Sequence, residues 1–252
     1  MNLHWTLLRR LIEPVGDVLF PPLCTSCSDR LADSSDRYIC VRCRRRLTRV
    51  LATDRTMCVL MERFTRGGSI GAFTPLYYFE DRGVLQSVIH ALKYREMTGI
   101  GRVFGQELGA LLRTLPQYQT CDLIVPIPLH IQKERERGYN QSDYICRGIA
   151  DVLHLPVETR AMRRIKKTRT QTKLSVTERT ENVSGAFAVE DKARRRIRGH
   201  SVILVDDVVT TGATVQSCAA AMMDAGAHCV LCASIGAAML DEMPASTVTQ
   251  IE

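Results

Sequence analysis

Residues 202–215 read V-I-L-V-D-D-V-V-T-T-G-A-T-V: an apolar run, two carboxylates, then a threonine-glycine turn opening a helix. Thr210, Thr211 and Thr214 offer hydroxyls, and the consecutive backbone N–H groups of the turn offer further donors. Gly212 lets a ligand approach the main chain closely. The helix beginning near Ala213 presents the positive end of its dipole, so the turn suits a phosphate. Asp206 and Asp207 cannot share that task, because like charges repel. As acceptors they suit a vicinal diol such as a ribose, directly or beside a metal ion. A sugar with a phosphate at one end satisfies both halves. In open α/β sheets such ligands lie beyond the carboxyl ends of the strands. A Walker loop is excluded, because no G-x4-G-K-[ST] occurs.

A second chemistry is written in the cysteines. Of ten in the chain, Cys24, Cys27, Cys40 and Cys43 form C-x2-C-x12-C-x2-C. Two such knuckles supply four thiolates, the ligand set of a structural zinc site with no open position. Free or disulfide-linked cysteines are the alternative. Cys146, Cys218 and Cys229 fall in apolar patterns that suit inert buried thiols, and Cys58 stands alone. The histidines form no catalytic set. His130 is the one nearest the presumed ligand site and reads as structural. No Ser/His/Asp or H-E-x-x-H pattern appears.

The chain has 252 residues, 45% of them hydrophobic and 24% charged, which excludes a collagen-like, low-complexity or wholly disordered protein. It is long enough to build a core without disulfides. Its net charge of +7 is uneven: residues 1–66 and 158–200 are basic, whereas residues 201–252 contain no Lys or Arg. Basic clusters suit phosphates or nucleic acid, and Arg42–Arg46 alone suits a solvated surface equally well. The longest uncharged apolar stretch, Cys229–Leu240, is shorter than the about 20 residues of a membrane span. Residues 1–20 carry four charges and no cleavage site, so they read as a packed amphipathic helix, a membrane-surface helix being the alternative. A reducing, cytoplasmic location is expected.

The elements that must position these residues follow from periodicity. Ala72–Phe79 reads as a strand made peripheral by Pro75. Val84–Tyr94, Gly101–Leu115 and Asn140–Leu153 read as helices, with Asn140 as a cap. Cys121–Pro128 reads as a short buried strand, Pro156–Met162 as another, Arg163–Leu174 as a basic loop, and Ala186–Val189 as a short strand. Ser175-x-x-Glu178 is a capping box. Ser201–Val205 is a continuous apolar run, as in a central parallel strand. Thr214–Ala225 is a helix closed by Gly226, and Cys229–Ala237 is a further buried strand. The organisation expected is an N-terminal helix (1–22), a zinc module (23–66), an α/β domain (69–240) and a tail (241–252).

The stretch VILVDDVVTTGATV resembles the phosphoribosyl diphosphate (PRPP) motif of type I phosphoribosyltransferases. That resemblance implies a mostly parallel sheet with flanking helices. It also implies ribose hydroxyls on Asp206 and Asp207, a 5-phosphate in the Thr210–Thr214 turn, and Mg²⁺ accompanying PRPP. Four further stretches narrow the resemblance to the ComF family: ALKYRE (91–96), VPIPLHIQKERERGYNQS (125–142), the set Thr168, Gln171, Leu174, Arg179 and Asn182, and GAF (185–187). Many ComF-like proteins carry a second pair of Cys knuckles, which is absent here. In phosphoribosyltransferases the diphosphate loop follows an early strand, so Lys133, Arg135, Arg137 and Lys93 become candidate diphosphate contacts. The same alternation of charge also suits a solvated helix. The family is associated with DNA uptake in natural transformation. The expectation is a PRPP-binding protein of DNA uptake that transfers a phosphoribosyl group and releases pyrophosphate. The alternative is a non-catalytic component that binds single-stranded DNA or docks an uptake ATPase or helicase.

Overall fold

The computed structural model describes residues 21–31, 37–165 and 185–238. The expected leading helix, the Ser175–Glu178 capping box, most of the basic loop, Gln171, Arg179 and the tail lie outside these residues. The strands are β1 (Ala72–Phe79), β2 (Leu123–Pro126), β3 (Met162–Arg164), β4 (Phe187–Val189), β5 (Ser201–Val209) and β6 (Cys229–Ala238). The helices are α1 (Val41–Arg44), α2 (Arg55–Gly67), α3 (Val84–Tyr94), α4 (Gly99–Arg113), α5 (Ile131–Arg137), α6 (Gln141–Leu153), α7 (Asp191–Ile197) and α8 (Ala213–Asp224).

Four strands form a parallel sheet in the order β1-β6-β5-β2, and β3 pairs with β4 in a separate antiparallel ribbon. The central strands read as unbroken apolar runs because both faces are covered. In β5, Val202 and Leu204 enter one core with Phe73, Leu123 and Val230. Ile203 and Val205 enter the other with Leu76, Ile124 and Leu231. Helices α3, α4 and α6 cover the second face; α2, α8 and the β3–β4 ribbon cover the first. Helices α4 and α6 meet backbone to backbone, since a Cβ at Gly105 would lie 2.2 Å from the Ile145 carbonyl oxygen.

Pro75 lies in the edge strand β1, as its missing N–H requires. The free edge of β1 is then covered from the N-terminal side. Tyr78 N–H donates to the Thr48 carbonyl at 2.9 Å, and Val50 N–H donates to the Leu76 carbonyl at 3.4 Å. Covering an edge this way blunts unwanted strand pairing. Just beyond, α2 buries Met57, Leu60 and Phe64 in the first core. Cys24, Leu31, Ile39 and Cys43 pack into the second core instead.

Helices α2, α5 and α7 are additional to the sequence reading, and other stretches differ from it. Strand β5 continues through Asp206 and Asp207 to Val209, because β6 is long enough to pair with it as far as Ala237. The strand expected over Pro156–Met162 is displaced: Val157 makes only an isolated bridge to Ile124, and pairing starts at Met162 opposite Val189. Arg163 and Arg164, expected in a loop, belong to that strand. Among the described residues, no helix is long and apolar enough to cross a membrane.

Candidate functional site

At the carboxyl end of β5 the chain turns through Thr210–Gly212 into α8. Gly212 is the N-cap residue of α8 at φ +79°, ψ −2°, a left-handed conformation that favours glycine. No side chain caps α8, and its first turn contains no acid. The first N–H groups of the helix are therefore left for a ligand. Thr210, Thr211, Gly212, Ala213 and Thr214 line a cavity of ≈ 280 Å³ that also takes in Asp206, Phe79 and Lys93.

A Cβ on Gly212 would stand 2.2 Å from Cε1 of Phe64. The Phe64 ring, fully buried, meets Phe73 edge-to-face at 5.3 Å. The Thr210–Gly212 turn therefore rests on α2, a contact that no local pattern in the sequence announces.

The acidic pair is tightly wired. Asp207 N–H donates to Asp206 Oδ1 at 2.8 Å, and Val208 N–H donates to Asp207 Oδ1 at 2.7 Å. Asp207 is buried, and its Oδ2 lies 2.6 Å from Lys93 Nζ at the end of α3. Burial alone would lower the Lys93 pKa, but Asp207 and, more weakly, Asp206 raise it above the ordinary lysine value. Burial, reinforced by the charge of Asp207, pushes Asp206 up to about 7, with Lys93 opposing. Arg164 of β3 adds a half-buried guanidinium whose charge feels Asp206 and which lies over the Phe187 ring at 5.4 Å.

Lys93 also lines a second cavity of ≈ 310 Å³ with Tyr94, Glu96, Lys133, Glu136, Arg137 and Tyr139. Arg137 hydrogen-bonds Gln141 and sits 5.3 Å over the Tyr94 ring. Its Nε is buried without a hydrogen-bond partner among the described residues. A buried, unspent guanidinium donor is costly unless an acceptor arrives. Of the candidate diphosphate contacts, Lys93, Lys133 and Arg137 come together here. Arg135 is exposed on α5 and lines neither cavity. The Tyr139 hydroxyl, which the sequence reading passed over, hydrogen-bonds the Leu92 carbonyl and fixes the turn carrying Lys93. His130 caps α5 by accepting from Gln132 N–H, and Asn140 caps α6 while donating to the Ile127 carbonyl at 3.0 Å.

The four cysteines of the spaced motif also converge. The sulfurs of Cys24, Cys27, Cys40 and Cys43 lie within 4.8 Å of one another, with Cys27 and Cys40 at 3.7 Å. A tetrahedron built on Zn–S bonds of about 2.3 Å has edges of about 3.8 Å, so the set fits zinc. Burial would raise the Cys24 thiol, but backbone donors from Cys27, Cys40 and Ser26 bring it down to about 6. Burial pushes Cys43 up to about 12. Beyond the centre, Arg44 and Arg49 converge on Glu107 of α4, and the Tyr77 hydroxyl donates to the same carboxylate at 2.5 Å. This hub ties the cysteine region to the sheet.

Comparison with known proteins agrees with this geometry. The phosphoribosyl transferase domain family matches residues 144–251. The Escherichia coli (strain K12) DNA utilization protein YhgH is 34% identical over 151 residues, covering 58% of this chain and 64% of that protein. Competence protein F of Haemophilus influenzae is 30% identical over 143 residues, 56% of this chain and 61% of that one. Competence protein ComFC of Bacillus subtilis is 30% identical over 105 residues, 41% and 39% of the two chains. Over this shared region the chain resembles competence and DNA utilization proteins of the ComF type. The match spans a little under two thirds of the length of the first of these relatives. Among solved structures, the B. subtilis glutamine PRPP amidotransferase gives a TM-score of 0.36 at 18% identity, covering 53% of this chain and 26% of that one. The parallel sheet and the strand–turn–helix of this chain form a phosphoribosyltransferase-like domain, with the cysteine cluster on its N-terminal side.

Proposed function

We propose that the protein binds PRPP, or a related phosphorylated ribose, across the two cavities and acts in DNA uptake. The 5-phosphate sits in the 210–214 turn, the ribose hydroxyls face Asp206 and Asp207, and the diphosphate faces Lys133 and Arg137. One observation carries the reading: Lys93, paired with Asp207, is a wall common to the phosphate-turn cavity and the basic cavity. That continuity gives a ligand with anionic groups at both ends one path through the site.

Mg²⁺ bound with PRPP supplies positive charge beside the acidic pair and the leaving diphosphate. In phosphoribosyl transfer an acceptor nucleophile bonds to the anomeric carbon, the bond from that carbon to the diphosphate oxygen breaks, and pyrophosphate leaves with the electron pair. The protein's own part is to hold both ends of the ligand and to stabilise charge with Lys93, Lys133 and Arg137. The cysteine centre holds a structural zinc, with Cys24, Cys27, Cys40 and Cys43 as ligands.

A second reading makes the protein a single-stranded DNA-binding or scaffold component of the uptake machinery. The exposed run Arg194–Arg196, with Arg198 beyond it, favours this reading. Calorimetric titration of PRPP and Mg²⁺ into the full chain and into Asp206→Asn/Asp207→Asn separates the two. The first reading expects binding that the double variant loses; no binding to either protein, with salt-sensitive binding of single-stranded DNA, supports the second.

A further inference from the structure

The position of Lys93 raises an electrostatic question. Asp206 and Asp207 stand side by side, and a ligand with a phosphate at one end and a diphosphate at the other must pass close to both. Carboxylates and phosphates repel strongly at such range in a partly desolvated site. Phosphate-binding enzymes usually meet this repulsion with a divalent ion recruited with the substrate. In this chain a cation is already in place. The Lys93 ammonium lies 2.6 Å from Asp207 Oδ2, its side chain only 25% exposed and that of Asp207 only 5%.

Two features separate this arrangement from an ordinary structural ion pair. Among the described residues Lys93 is the one that lines both cavities, so its charge reaches each end of the path. Its backbone is also held on the cavity side, through the Tyr139 hydroxyl on the Leu92 carbonyl and through Tyr94 beneath the Arg137 guanidinium. The ordering of a long side chain is thus completed before any ligand arrives.

We propose that Lys93 is a built-in cation joining the acidic pair to the diphosphate end of the ligand, so that affinity for PRPP depends only weakly on divalent metal. The inference rests on the PRPP reading of the site given above. The role is that of a binding and specificity residue: with the ammonium present, the Lys93–Asp206–Asp207 group carries at most one net negative charge; without it, at most two.

The test is calorimetric titration of PRPP into the full-length protein, in millimolar Mg²⁺ and again in chelator-free buffer with no added divalent metal, for wild type, Lys93→Gln and Lys93→Arg. Wild type and Lys93→Arg are expected to lose about 10-fold or less in affinity when Mg²⁺ is withdrawn, whereas Lys93→Gln loses about 100-fold or more. An equal loss in Lys93→Gln with and without metal would make Lys93 a simple contact and overturn the proposal. So would a wild-type affinity that collapses when Mg²⁺ is left out, an arm that stands even if Lys93→Gln fails to fold. In each of those cases wild type still binds in Mg²⁺ and the PRPP reading survives. Absence of wild-type binding in Mg²⁺ removes both.

Discussion

Gly212→Ala places one methyl group where the phosphate turn meets α2. The new Cβ would lie 2.2 Å from Phe64 Cε1 and 2.7 Å from its Cζ. Carbon atoms normally rest about 3.5–4.0 Å apart, so the ring or the turn must yield by more than about 1 Å. The ring cannot yield freely, because it is fully buried and edge-on to Phe73. Overpacking of this kind costs about 1–3 kcal/mol. The left-handed backbone at φ +79° adds about 1–2 kcal/mol once a Cβ is present. The sum, about 2–5 kcal/mol, corresponds to a melting-temperature drop of roughly 5–15 °C in a domain of this size. Urea denaturation of Gly212→Ala, Phe64→Ala and the double variant isolates the contact. Phe64→Ala alone costs about 3–5 kcal/mol through its cavity. In that background Gly212→Ala should keep only the backbone part, giving a coupling energy of about 1–3 kcal/mol. A Gly212→Ala protein within about 0.5 kcal/mol of wild type would refute the reasoning, as would the same cost in both backgrounds.

Three other perturbations test separate parts of the account. The Asp206 pKa is raised from 3.8 to about 7, so its carboxyl is neutral in both folded and unfolded protein at low pH, opposes folding increasingly as pH rises from about 4 to about 7, and its cost levels off above that. Asp206→Asn should therefore raise the melting temperature more near pH 8 than near pH 5; an equal gain at both would contradict the shift. Glu107→Ala orphans the buried Tyr77 hydroxyl and releases Arg44 and Arg49, and should cost about 1–3 kcal/mol in a denaturant melt. Arg44→Ala, which removes a partly exposed pair and a guanidinium 5.7 Å over the Phe104 ring, should cost no more than about 1 kcal/mol, and a larger loss there would break the argument. A chelator should release about one zinc per chain and lower thermal stability, and Cys24→Ser should bind no zinc. Metal analysis of freshly purified protein that finds none would remove that assignment.

Much of the site was legible because its signals are local. The apolar run, acidic pair, threonine-glycine turn and helix occupy one unbroken stretch, and the structure folds them as a strand, turn and helix. The cysteine spacing likewise foretold convergence of four sulfurs. Val84–Tyr94 agrees residue for residue, since Val84, Leu85, Val88, Ile89 and Leu92 form one buried stripe. What escaped is nonlocal or solvent-facing. Lys93 and Asp207 pair across most of the domain, and Phe64 meets Gly212 from a helix that sequence reading left inside a polar, cysteine-rich region. No residue of helix α5 is fully buried, so no apolar stripe marks it; a histidine cap at its start and left-handed Gly138 at its end bound it instead. In α7 only Ala193 and Ile197 are buried, too few to stand out from the basic run. Strand β3 depends on β4, a partner the local pattern could not reveal.

The most direct test of the central claim is a crystal structure of the full chain grown with PRPP and Mg²⁺. The account predicts a phosphate monoester against the backbone N–H groups of 210–214, ribose hydroxyls at Asp206 and Asp207, and a diphosphate between Lys93 and Arg137. Density for the ligand elsewhere, or none at saturating PRPP, would contradict it.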